Sequence, residues 1–284
     1  MTTATRGAAL TREQEQTRAA WNDIAVGYDE FVTPTHMWLA NQALRRAGLR
    51  SGLRFLDVAA GSGALSIPAA RLGAAVLSTD LSSVMLERLR ARAEAEGLSD
   101  IETRVMDGHA LELSDETFDV AGSQYGVMLF PGLPRAVSEL ARVTKSGGRV
   151  LLVVYGPPSE IEFLGFFIGA IQAVVPGFTG LPTEPPPLPF QVADPGKLRQ
   201  ALATAGLRDI RVETVIEKLE FRSGQHMWDW LTNSNPIARL LIADVSDAQR
   251  AEVRQVLDGM VRERSGGRGV AVLTNPVHIG IGVK

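Results

Sequence analysis

The sequence contains no cysteine, so disulfides and thiolate-bound metals are excluded as sources of stability or chemistry. It also lacks a dense run of lysine or arginine. With 29 basic against 32 acidic side chains the formal charge is −3, and no stretch offers a basic face to a nucleic acid. Arg88, Arg90 and Arg92 come nearest, but they interleave with Glu87, Glu94 and Glu96 and read as a solvated helix face. Long apolar runs are missing too. The longest, residues 163–178, is interrupted by Gly165, Gly169, Gln172 and Pro176 and is too short for a bilayer span. The opening MTTATRGAALTREQEQ has no apolar centre of the kind a signal peptide needs, so a cytoplasmic protein is expected.

What is present begins with FLDVAAGSGALS, residues 55–66. Leu53, Phe55, Leu56 and Val58 form a short apolar run suited to a strand buried on both faces. Gly61 and Gly63 let the backbone turn sharply and approach a ligand. Residues 64–72 then read as a helix whose N-terminus offers free N–H groups, with Pro68 in its opening turn or at a kink. Together these open a Rossmann-like unit and point to a nucleotide or nucleoside cofactor.

The centre of the chain continues as alternating strands and helices, the pattern of a parallel α/β sheet. Strands are expected at 75–79, 101–106, 118–122 and 150–155. Helices are expected at 84–96, ended by Gly97, and at 133–143, with Ser146-Gly147-Gly148 turning into the last strand. The flanks differ. Thr11 and Gln14 make a capping box ahead of a helix bearing Trp21 and Ile24, and a second helix spans 36–47. The organisation read from these signals is an N-terminal helical lid (1–50), a cofactor-binding core (51–156) and a Pro- and aromatic-rich lid insertion (157–193). The core then resumes (194–222, including a long kinked strand from Leu207 to Phe221), followed by a helical insertion (223–276) and a terminal strand (277–284).

Three acids fall at successive strand ends. Asp57 precedes the glycine turn; Asp80, in LSTDLSS, stands where an acid accepts both ribose hydroxyls of an adenosine; Asp107, in VMDGHAL, stands where a carboxylate accepts from an adenine amino group. With LDVAAGSG, STDLSS, VMDGHAL, FDVAGSQYGVMLF, ELARVTKSGGRVLLV and the lead-in WNDIAVGYDE, the segment 21–155 resembles the class I S-adenosylmethionine-dependent methyltransferases. Within them it is most similar to the ubiquinone/menaquinone-biosynthesis group. The resemblance implies a Rossmann-like, seven-stranded, mostly parallel α/β sheet, helices on both faces, and a helical lid from the N-terminus and insertions.

It also implies S-adenosylmethionine as cofactor and S-adenosylhomocysteine as product. Carried over by position, Gly61 and Gly63 approach the aminoacyl end, and Asp57 orders its ammonium. Asp80 with Leu81 holds the ribose, while Asp107, Gly108 and His109 flank the adenine. Ser123 and Gln124 face the sulfonium and the substrate, and Tyr28 reaches over from the lid. Ala59 replaces the family's first loop glycine, tolerable if its φ stays negative. The alternative is an NAD(P)-dependent oxidoreductase, but the third glycine of its fingerprint is absent and Asp57 would repel a pyrophosphate.

Methyl transfer from a sulfonium needs alignment and exclusion of water, with a base only where the accepting atom must lose a proton. No base stands out; His36, Tyr125 and His226 are the candidates, and His278 reads as structural. The acceptor pocket is expected from Met37, Trp38, Tyr125, Met128, Phe130, Phe163, Phe167, Trp228 and Asn233, apolar walls with a few polar groups that suit a small aromatic or amphiphilic molecule. The apolar segment 163–178 has a second reading as a homodimer contact.

Overall fold

The computed structural model describes residues 11–182 and 184–284. Thr11 accepts from Gln14 N while the Gln14 side chain accepts from Thr11 N, and this capping box opens α1 (Arg12–Gly27). One π-helical turn, Tyr28–Val32, joins α1 to α2 (Thr33–Arg46). There follow β1 (Arg54–Val58), α3 (Ser66–Arg71), β2 (Ala75–Asp80), α4 (Ser83–Ala95), β3 (Ile101–Val105) and β4 (Phe118–Gln124). Then come α5 (Leu133–Val143), β5 (Thr144–Tyr155), α6 (Glu162–Val174) and α7 (Pro195–Thr204). The chain ends with β6 (Arg208–Phe221), α8 (Gly224–Ser234), α9 (Pro236–Leu241), α10 (Asp247–Arg264) and β7 (Ala271–Val283).

The seven strands lie in the order β3-β2-β1-β4-β5-β7-β6. The first five are mutually parallel, and β7 runs antiparallel to both β5 and β6. Strand order reverses at β1, which pairs with β2 on one side and β4 on the other, so the ligand crevice of such a sheet opens at their C-terminal ends. Phe55, Leu56, Val120 and Leu151 fill the sheet core, against Leu39 and Ala43 of α2 and Ala136 and Leu140 of α5.

Several boundaries differ from expectation. Residues 64 and 65 belong to the ligand loop, so α3 starts at Ser66 with Pro68 in its first turn. Gly147-Gly148 is not a turn before β5 but part of it, bonded to the chain's last residue through Gly147 N to Lys284 O and Lys284 N to Gly148 O. The strand β6 is continuous, with only a register shift between Arg208 and Arg211. The terminal strand begins at Ala271 rather than 277. Pro276 is tolerated inside it because its carbonyl accepts from Gly156 N just past the end of β5, where no ladder donor is needed.

A second apolar cluster caps the sheet. Phe163 and Phe167 of α6, Trp230 and Leu231 of α8, and Val253 and Leu257 of α10 pack together. Pairing of β7 with β5 ends at Val277, but its pairing with β6 continues to Ala271, so the β6–β7 hairpin overhangs the sheet. Leu219, Phe221, Ala271 and Leu273 on that overhang are buried in the cap cluster. The apolar face of α6 is thus covered in large part by its own chain. Among the described residues, no helix is long and apolar enough to cross a membrane.

Candidate active site

The loop after β1 is held in a strained shape. Ala59, Gly61 and Gly63 all have positive φ, 55°, 54° and 101°. This corrects the expectation of a negative φ at Ala59, where an alanine adopts the left-handed conformation its family position reserves for glycine. A Cβ on Gly63 would lie 3.0 Å from Leu89 Cγ, so close packing of loop on α4 also demands glycine there.

Asp57 is buried at the end of β1 and accepts from Ser66 Oγ at 2.5 Å, while its Oδ1 has no hydrogen-bond partner. Burial pushes its carboxyl up to about 7, partly offset by the Ser66 hydrogen bonds. A buried, unpaired carboxylate oxygen beside a glycine loop fits an ammonium group. Asp80 accepts from Gly61 N at 2.9 Å and from Ser82 N at 2.8 Å, locking the loop to the end of β2, with Leu81 in the turn between. Burial raises its carboxyl and those backbone donors pull it back. Two amide donors leave further lone pairs for a diol.

Asp107 accepts from His109 N at 2.9 Å and also meets His109 Nδ1 at 2.8 Å. The His109 ring stacks on Phe130 at 4.6 Å between centroids, and a Cβ on Gly108 would lie 2.6 Å from Phe130 and 2.8 Å from Val58. Phe130, expected in the acceptor wall, therefore packs against Gly108 and His109. Gln14 of α1 donates to Asp107 Oδ2 at 2.6 Å, a contact that sequence reading missed because the two residues are far apart in the chain.

The N-terminal helices close over this crevice. The Tyr28 ring lies against Gly61, where a Cβ would be 3.4 Å from it, and packs edge-on to Trp21. Asn22 accepts from Ser82 Oγ at 2.6 Å, and Arg92 grips both the carboxylate and the carbonyl of Asp29 at 2.5 and 2.8 Å. Arg92 is thus not part of a merely solvated face. On the far side α1 packs on α8, Gly27 lying so close to Asn233 that a Cβ would meet its carbonyl at 2.3 Å, and Asp23 pairs with Arg239.

Beyond Tyr28 lies a second buried group. Tyr125 follows β4 with φ 58° and donates to Glu217 Oε1 at 3.0 Å. His36 Nε2 is 3.7 Å from the same oxygen, and its ring is 4.8 Å from that of Tyr125. Gln124 donates to the His36 carbonyl at 3.1 Å. Asn275 stands opposite Glu217 in the β6–β7 ladder. Burial pushes Glu217 up to about 7, partly offset by the Tyr125 hydrogen bond and the nearby Asn275 amide, and pushes His36 down to about 3, so the imidazole is neutral. The Tyr28 hydroxyl is raised by burial and then by the charges of Asp80, Asp57 and Glu217. Glu217 and Asn275 were not anticipated, although Leu219 and Phe221 at alternate positions mark the inward face of β6 that Glu217 shares.

Other expected pocket residues lie elsewhere. Trp38 is 55% exposed, because the inward stripe of α2 is His36, Leu39, Ala40 and Ala43. Met37 packs with Ile67 and Ala93. Met128 belongs to the sheet core, its carbonyl accepting from Gln191. Phe167 and Trp228 pack on each other inside the cap. Trp228 and Asn233 also line a separate cavity of about 320 Å³ with Arg239 and Arg250. His226 accepts from Arg222 N and sits among Phe31 and Phe221, away from Glu217. The Ser123 hydroxyl accepts from Val127 N and caps the turn after β4. His278 bridges Thr214 and the Ala193 carbonyl. Of the expected acceptor wall, Tyr125 and Phe163 remain beside the cluster, Phe163 packing edge-on to Tyr155 and Trp230.

A family model described as "Methyltransferase domain" matches residues 56–152, the span that builds the glycine loop and all three acids. Over that span the chain matches a methyltransferase domain. A protein of Mycobacterium tuberculosis is 41% identical over 135 residues, 47% of each chain, so the present chain spans about half the length of the curated relatives it matches first. Demethylmenaquinone methyltransferase of Renibacterium salmoninarum is 26% identical over 215 residues, 72% of this chain and 88% of that one. Among solved structures, phosphoethanolamine N-methyltransferase 2 of Haemonchus contortus, determined with S-adenosylmethionine, shares the fold. Its TM-score is 0.52 at 20% identity, covering 87% of this chain and 52% of that one. Nothing in these likenesses supports the oxidoreductase alternative. The matched span ends at Leu152, so α6 to β7, including the cap, lie outside it.

Proposed function

We propose that the protein transfers the methyl group of S-adenosylmethionine to a small apolar or aromatic organic acceptor. The observation that carries this reading is the unpartnered, buried Oδ1 of Asp57 beside the Ala59–Gly63 loop, a place for an ammonium and a poor one for a pyrophosphate. Gly61, Gly63 and Asp57 would hold the aminoacyl end, Asp80 the ribose, and Asp107, Gly108 and His109 the adenine, with Tyr28 closing the crevice. When bound, the cofactor supplies a methyl group on a cationic sulfur, already activated for in-line displacement. The chain's part is to align the acceptor and exclude water, which α1, the π-helical turn and the cap are placed to do. The similarity to demethylmenaquinone methyltransferase favours a phenolic or quinol-like acceptor. Calorimetry with S-adenosylhomocysteine and NADH tests the reading. Micromolar binding of the first alone is expected, and binding of NADH alone would reverse it.

A further inference from the structure

The cluster at the root of the β6–β7 overhang holds more polar atoms than it pairs. Glu217 Oε2, both ring nitrogens of His36, Gln124 Oε1 and both amide atoms of Asn275 are buried without a hydrogen-bond partner. Buried polar groups in a purely structural network are satisfied, and apolar residues of similar size do the structural work more cheaply. Here Leu219 and Leu273 fill the adjoining inward positions of the same hairpin, so the polar set is a local exception. Among the described residues Glu217 pairs with no lysine or arginine, and the basic group facing it is the neutral His36. The Tyr28 hydroxyl is raised by burial and then by the charges of Asp80, Asp57 and Glu217, and Gly126, next to Tyr125, lies against Ala59 of the glycine loop. One wall is aromatic, Tyr125 stacking on Tyr155 at 4.4 Å and Tyr155 meeting Phe163 edge-on.

We propose that Glu217 is the general base for a hydroxyl on the methyl acceptor, oriented by His36, Asn275 and Gln124, and that the acceptor is a neutral compound of the phenol class. The proposal rests on the methyltransferase reading and gives it a substrate class. In the proton step the acceptor O–H bond breaks, the proton binds Glu217 Oε2, and the electron pair stays on the acceptor oxygen as the nucleophile. The proton leaves to solvent when the product departs. The aromatic wall of Tyr125, Tyr155 and Phe163 suits a phenol ring, whose hydroxyl carries the proton that the buried carboxylate can take. The titratable groups facing Glu217 are Tyr125, His36, Tyr155 and Tyr28. Burial raises all three phenols and lowers the imidazole, so Glu217 is the group among them that changes charge near neutral pH.

The test compares wild type with Glu217→Gln and Glu217→Asp. S-adenosylhomocysteine binding by calorimetry checks fold and cofactor site, and unchanged affinity is expected. Transfer to phenol should fall by about 100-fold or more in Glu217→Gln. Transfer to the far more acidic 4-nitrophenol should fall much less, and Glu217→Asp should recover part of the phenol activity. Independently of turnover, 4-nitrophenol bound beside S-adenosylhomocysteine should ionise at least about one pH unit higher in wild type than in Glu217→Gln, since a neighbouring carboxylate disfavours the phenolate. Equal losses on both phenols, or the same ionisation in both proteins, would overturn the assignment. Wild type that binds S-adenosylhomocysteine but methylates no phenol would also overturn it, while absence of that binding would overturn the methyltransferase reading itself.

Discussion

Replacing Glu217 by glutamine should stabilise the protein, by an amount that grows as pH rises from about 4.5 to about 7. The carboxyl moves from 4.5 in the unfolded chain to about 7 in the fold because burial disfavours its charge. Between those values the unfolded chain has released the proton and the folded chain has kept it, so stability falls as pH rises through this window and levels off above about 7. At about 1.4 kcal/mol per pH unit the loss totals about 3 kcal/mol. Glutamine preserves the acceptor for the Tyr125 hydroxyl but cannot ionise, so the variant escapes the loss. Asp57, pushed up to about 7, and His36, pushed down to about 3, add slopes of their own, but both proteins share them and the difference cancels them. With each kcal/mol worth roughly 2 °C in a chain this long, the melting temperature of Glu217→Gln should exceed wild type by roughly 5 °C at pH 8 and by about 1 °C at pH 5. Thermal unfolding followed by circular dichroism from pH 4.5 to 8.5 reads both. A difference that does not change with pH, or wild type the more stable at pH 8, would show that the buried charge is compensated and would refute the reasoning.

Asp80→Ala should weaken S-adenosylhomocysteine binding by about 1–3 kcal/mol in calorimetry, through loss of a charge-assisted contact and of the Gly61 latch, while the far-ultraviolet spectrum stays native. Ala59→Gly should relieve the left-handed strain and, net of glycine's entropy, raise stability by about 0.5–1 kcal/mol in urea unfolding; a loss would contradict the positive φ. Asp29→Ala cuts the clasp between the π-helical turn and Arg92, and stopped-flow should show faster release of S-adenosylhomocysteine with little change in melting temperature. Trp38→Ala should leave both binding and turnover as they are, because the ring faces solvent.

The glycine turn and the acids at the strand ends were legible in the sequence because each is read within a short local segment. In the fold Asp80 accepts from Gly61 N of that turn, and Asp57 accepts from Ser66 at the start of α3. The acceptor side was not, because its parts come from four distant segments. Glu217 and Asn275 meet only through the β6–β7 register, and Tyr125 meets them only after β4 is placed. Trp38 was chosen for its residue type against the spacing of its own helix, whereas His36 occupies the inward stripe. The terminal strand starts six residues before the expected 277, across Pro276, because what makes a proline harmless there, the end of β5, is not local in sequence.

The overhanging hairpin also suggests how such a protein diversifies. The sheet fixes the register of β6 and β7 from Val277 inward, and α8, α9 and α10 are all strung between the two strand tips. Lengthening, shortening or exchanging that intervening stretch leaves the crevice residues on β1, β2 and β4 where they are. New acceptors are then reached by grafting a different head onto the same stem, with Glu217 and Asn275 at the seam, and recombination at the tips of β6 and β7 becomes the natural place to re-engineer selectivity.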